Sequence, residues 1–98
     1  MAKEIVWNKR AIVKLDEIIE YLLENTSEKV AEKFYQSVID RVDILSRYPE
    51  IGRKSKKKKT VRMSPINKRY NLYYRIDGRR LIIVYLFDSR QNPTQNPY

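Results

Sequence analysis

The sequence predicts an α+β fold of two layers, β-α-α-β-β-β in chain order, with a helical hairpin packed on one face of a mostly antiparallel four-stranded sheet. Three observations predict it. Apolar residues recur at helical spacing through the first half of the chain. Strand-like alternation replaces that spacing after Pro49. Asp77-Gly78, a strong two-residue turn signal, separates two runs rich in Tyr, Ile, Val and Leu. A chain of 98 residues has room for one core between two layers, so residues 1–98 are expected to form a single domain.

The elements follow in order. Residues 3–7 (KEIVW) make a short strand, and Asn8 stands where a helix N-cap belongs. From Lys9 to about Glu24, Ala11, Leu15, Ile18 and Leu22 mark one helical face. Asn25-Thr26-Ser27 breaks that helix, and Ser27 caps the next. The second helix carries Ala31, Phe34, Tyr35, Val38, Val42 and Leu45, and it stops before Pro49, which disfavours helix in the residue preceding it. So short a turn makes the pair antiparallel. Residues 53–59 (RKSKKKK) put six positive charges in seven residues and read as a basic, self-repelling loop. Strands are expected at 60–64, 69–76 and 80–87, and residues 91–98, interrupted by Pro93 and Pro97, read as an irregular tail.

With Asp77 and Gly78 as the turn, Tyr74 pairs with Leu81, Leu72 with Ile83 and Tyr70 with Tyr85 on the face that receives the helices. The outer face then holds Arg69, Asn71, Tyr73 and Arg75, opposite a strip of Ile82, Val84 and Leu86. By the same alternation Val61 and Met63 point inward and Arg62 outward, with Asp88 and Arg90 continuing the outer side. An exposed apolar strip of that kind awaits a partner chain.

Composition narrows the chemistry. Without cysteine there are no disulfides or thiolate metal sites, and without histidine the commonest general base and metal ligand are missing. No metal and no cofactor is expected. No apolar run reaches the roughly 18–20 residues of a membrane span, and MAKEIVWNKR shows no export signal, so the expectation is a cytoplasmic chain with no membrane partner. Charge is segregated. Residues 1–48 carry eight Lys/Arg against nine Asp/Glu, whereas residues 49–98 carry thirteen against three. A field gathered that way suits a polyanion or an acidic protein. Lys9 and Arg10 also sit at the positive end of the first helix dipole, either as loosely selected surface charges or as the border of an anion site. A metal-free ribonuclease would let a substrate 2′-hydroxyl attack its neighbouring phosphate. Arginine or lysine would then steady the developing charge, and tyrosine, lysine or carboxylate would move the protons.

The order Leu45, Tyr48-Pro49-Glu50-Ile51-Gly52-Arg53, Val61-Arg62, Tyr70-Asn71-Leu72-Tyr73-Tyr74-Arg75 and Leu86-Phe87-Asp88-Ser89-Arg90-Gln91-Asn92-Pro93 resembles the RelE/ParE superfamily of type II toxins over nearly the whole chain. The resemblance implies a cognate antitoxin and a growth-inhibiting target. RelE-like members cut messenger RNA on the ribosome; ParE-like members inhibit DNA gyrase. For RNA cleavage the resemblance points to Arg62, Arg90, Tyr73 and Tyr98 as catalytic candidates, with Tyr98 about two positions beyond the usual terminal tyrosine. Lys56, Lys57, Lys58, Lys59, Arg69, Asn71 and Arg75 would hold RNA, and Asn71 stands where RelE-like enzymes carry an arginine. Ile82, Val84 and Leu86 would meet the antitoxin. The expectation is a toxin acting as a metal-independent, ribosome-dependent endoribonuclease, with gyrase inhibition second and a non-toxic nucleic-acid-binding domain third.

Overall fold

The computed structural model describes residues 2–98. Its elements are β1 (Glu4–Trp7), α1 (Lys9–Asn25), α2 (Glu28–Arg47), β2 (Arg53–Lys54), β3 (Arg62–Pro65), β4 (Tyr70–Asp77) and β5 (Arg80–Asp88). Short 3-10 turns at Pro49–Ile51 and Pro93–Gln95 complete the order. The two-layer α+β arrangement matches the expectation, but the sheet has five strands rather than four, ordered β1-β5-β4-β3-β2. The additional strand is β2, where the first two residues of the basic run pair antiparallel with Met63 and Arg62. β1 lies parallel to β5, Val6 beside Ile82 and Trp7 beside Ile83; every other pair is antiparallel.

Both helices bury one stripe. Ala11, Leu15 and Leu22 of α1, with Ala31, Phe34, Val38, Val42 and Leu45 of α2, pack on Tyr70, Leu72, Tyr74, Leu81, Ile83 and Leu86 of the sheet. Ser27 caps α2 by accepting a hydrogen bond from the Val30 amide at 3.2 Å. Asn8 is the N-cap of α1, as expected, in extended backbone, but its side chain makes no cap bond. Among the described residues no helix is long and apolar enough to cross a membrane.

The β4–β5 hairpin departs from the expected register in two places. Asp77 pairs with Arg80, so Gly78 and Arg79 are the turn residues. Only Gly78 takes positive φ, at 57°, which fits a type II′ turn and not the type I′ that Asp-Gly suggests. Farther along, Tyr74 faces Ile83 while Tyr73 faces Tyr85, which leaves Val84 as the extra residue of a bulge. Beyond it β5 has changed face. Leu86 turns to the helices opposite Leu72, and Tyr85 and Phe87 turn outward opposite Tyr73 and Asn71. The outer face carries its own buried cluster of Val61, Tyr73, Ile82, Val84, Tyr85 and Phe87. Val61 and Met63 thus belong outside, and Arg62 between them points to the helix side, opposite to the expectation.

Candidate functional site

Arg62 is used structurally. From β3 its guanidinium reaches the turn after α2 and donates to the carbonyl oxygens of Glu50 at 3.2 Å and Gly52 at 2.7 Å. Beside it, the Tyr74 hydroxyl donates to the Pro49 carbonyl at 2.6 Å and accepts from the Gly52 amide at 3.0 Å. Burial raises the Tyr74 pKa, with the Gly52 amide and Arg62 pulling the other way, so its proton stays on the oxygen. The Tyr-Pro-Glu-Ile-Gly-Arg stretch is therefore a turn locked by two side chains from the sheet. One guanidinium nitrogen of Arg62 and the Tyr74 hydroxyl are thereby bonded to the backbone of the turn.

A second group sits at the other end of β4 and β5, against α1. Arg69 leaves the outer face assigned to it because Asp88 and two rings draw it toward the helix. Its Nε donates to Asp88 at 3.0 Å, and the guanidinium lies 4.9 Å from the Tyr21 ring centre and 5.0 Å from that of Tyr70. Asp88 also accepts from the Arg90 amide at 3.0 Å and lies 3.8 Å from the Arg90 guanidinium. Burial would raise the Asp88 pKa, but the hydrogen bond from Arg69 and the Arg90 amide outweigh it and the carboxyl falls below its ordinary value. Arg69 likewise pulls the Tyr21 phenol down. Arg62 and Arg90, expected on one surface, project at opposite ends of the sheet, one under the turn after α2 and one beside α1.

The outer face brings together a third group. The ring of Tyr98 stacks on Tyr73 with centres 5.8 Å apart and tilts against Tyr85 at the same distance. Asn96 donates to the Tyr73 hydroxyl at 2.8 Å. Lys57 donates to the carbonyls of Pro93 and Asn96, and Lys58 stands 5.9 Å above the Tyr98 ring. Asn71 and Arg75 share this face, half-buried, paired with Phe87 and Ile82. Lys56 and Lys59 are exposed in the loop. The tail, residues 91–98, has only one short 3-10 turn, its Thr94 amide capped by Asn92, and it is packed down on the outer face.

The strip Ile82, Val84 and Leu86 is buried and, contrary to expectation, offers no open docking surface. Ile82 and Val84 are 4% exposed, within the outer cluster against which Val6, Met63 and Tyr98 pack. Leu86 is 1% exposed and lies in the helix-side core, because the bulge turned it over. Lys14 and Tyr85 are site residues that sequence reasoning missed, and they meet Arg10 of the cationic helix start. The Arg10 guanidinium lies 4.8 Å and the Lys14 ammonium 5.5 Å from the Tyr85 ring centre. Burial pulls the Lys14 pKa down, but Tyr85 and Glu17 outweigh it and the net shift is upward. The signal in the sequence was the cationic start of α1. Tyr85 gave none, since strict alternation buries it under the helices. Among the described residues no group of three or more acidic side chains is placed to hold a metal ion.

The chain is thus a helical hairpin on a mixed sheet, with a cationic second half and a turn locked after α2. Residues 5–93 match the family model for the ParE toxin of the type II toxin–antitoxin system parDE, and the chain belongs to that family. It is the toxin component of such a system, and its partner is a cognate antitoxin. No curated protein sequence matches it. Solved structures share the fold. A chromosomal ParDE system from P. aeruginosa superposes with a TM-score of 0.77 at 20% identity, over 89% of this chain and 96% of that one. A YoeB/ParE toxin from Agrobacterium tumefaciens gives 0.63 at 15%, over 87% and 96%. The RelBE2 toxin–antitoxin complex from Mycobacterium tuberculosis gives 0.61 at 15%, over 90% and 99%.

Proposed function

We propose that this toxin arrests growth by binding DNA gyrase as a ParE-like inhibitor, without cutting RNA. This reverses the order expected from the sequence. The observation that carries the reading is the dispersal of the candidate catalytic groups. Phosphoryl chemistry without a metal needs its cations and proton carriers converging within hydrogen-bond reach of one phosphate. Arg62 is tied through one guanidinium nitrogen to the carbonyls of Glu50 and Gly52, Arg90 sits beside Asp88, and Tyr73 lies beneath Tyr98 with its hydroxyl engaged by Asn96. A protein ligand needs no such convergence, only a shaped and charged surface.

The test is induction of the toxin with two readouts in parallel. Gyrase inhibition predicts loss of supercoiling activity in a purified assay and induction of the DNA-damage response, with transcript 5′ ends unchanged. Cuts mapped within translated codons, with supercoiling untouched, would overturn the proposal. They would favour ribosome-dependent mRNA cleavage, a second reading supported by the lysines held beside the Tyr73–Tyr98 stack on the outer face.

A further inference from the structure

We propose that the C-terminal segment, residues 93–98, is a clasp that orders the lysine-rich loop against the outer face of the sheet. Six cations in seven residues repel one another, and such a segment stays mobile unless something offsets the charge. Here main-chain oxygens of the tail do so. The Lys57 ammonium donates to the carbonyls of Pro93 at 3.0 Å and Asn96 at 2.6 Å, both on the turn that opens the tail. The buried Ser55 hydroxyl donates to the main-chain oxygen of Tyr98. The same oxygen of Ser55 accepts the Lys58 amide at 3.3 Å, so one side chain joins tail and loop.

The clasp is in turn fastened to the sheet by aromatic packing, which salt does not screen. Tyr98 lies on Tyr73 and Tyr85, and Asn96 holds the Tyr73 hydroxyl. Lys58 then rests over the outer side of the Tyr98 ring. The loop closes its own base through Ser55 and Val61, whose backbone groups bond at 2.8 Å. Beyond the local bond from the Val61 amide to the Lys58 carbonyl at 2.9 Å, the side chains of Lys57 and Lys58 meet the outer face through the tail. Each segment orders the other, so loosening either must loosen both. The cations of residues 57 and 58 are thereby presented at fixed positions beside the ring of Tyr98, on the face that also carries Arg75.

Trypsin reads this directly, because the loop is a run of its cleavage sites. The folded chain carries an internal reference in Arg79 and Arg80 at the exposed hairpin tip, far from the tail. In the double variant Asn96→Ala, Tyr98→Ala, cleavage within residues 56–59 relative to residues 79–80 rises roughly tenfold or more, as expected when a locally closed segment opens. A ratio unchanged within about twofold overturns the clasp. If that variant unfolds, seen as lost helical circular dichroism, a second variant decides. Lys57→Met alters only an exposed side chain of the loop, and by reciprocity it lowers amide-exchange protection at residues 94–98. Protection there identical to that of the parent chain overturns the proposal as well.

Discussion

Gly52 shows how little freedom a single position can have. A Cβ built there would overlap the Tyr74 hydroxyl and crowd its ring, and that ring is fixed by hydrogen bonds to Pro49 and Gly52. Gly52→Ala should therefore cost about 2–3 kcal/mol, the usual penalty for overpacking a closed site, read from urea midpoints. Tyr74→Phe keeps the ring but strands the Gly52 amide and the Pro49 carbonyl, at about 1–2 kcal/mol in the same measurement. Asp88 yields a pH signature. Its carboxyl pKa is lowered in the fold, so the stabilisation is present above the unfolded value and disappears as pH falls below about 4 through the folded one. Asp88→Asn should flatten that acid part of the stability–pH curve. Equal acid sensitivity in both proteins would contradict the role given to Arg69.

Among the elements, the helices were the most legible. Their stripes and the Ser27 cap follow from local chemistry, which needs no knowledge of distant partners. The two helix starts can be set against each other. Ser27→Ala should destabilise by about 1 kcal/mol, whereas Asn8→Ala, whose side chain bonds nothing at the cap, should change stability by only a few tenths. Thermal melts of the two variants check this contrast. The strands were legible as strands but not as faces. Period-two reasoning carries a phase, and one unpaired residue at Val84 reverses it for everything downstream, which is why Leu86 and Tyr85 were assigned to the wrong sides. β2 escaped because Arg53 and Lys54 lack the β-branched or aromatic character of a strand; they pair only because β3 lies alongside. Arg62 was misplaced because Val61 and Met63 were assumed to face the helices, when the outer face has an apolar cluster of its own to fill.

At the scale of the whole molecule, two apolar clusters share one sheet, the larger beneath the helices and the smaller beneath the tail. β4 and β5 supply residues to both, so neither side can melt while the other stands. Unfolding should be one cooperative transition, with calorimetric and van't Hoff enthalpies equal; two resolved steps would show that the tail-covered layer comes apart alone. The site was less legible than the fold because its members meet through the return of the last six residues, a contact between segments some forty positions apart that no local pattern announces.

Val84 has one last consequence, for which mutations the gene can tolerate. Because this residue is counted on only one strand of the central ladder, the reading of that strand changes parity halfway along. Losing its single codon would bring the two halves back into step. Tyr85 would then follow Ile83 directly and still point outward opposite Tyr73, with Leu86 still toward the helices and Phe87 still outward. An in-frame deletion of this one codon would thus straighten the strand and cost the outer cluster one aliphatic side chain, while leaving the far third of the strand on its present faces.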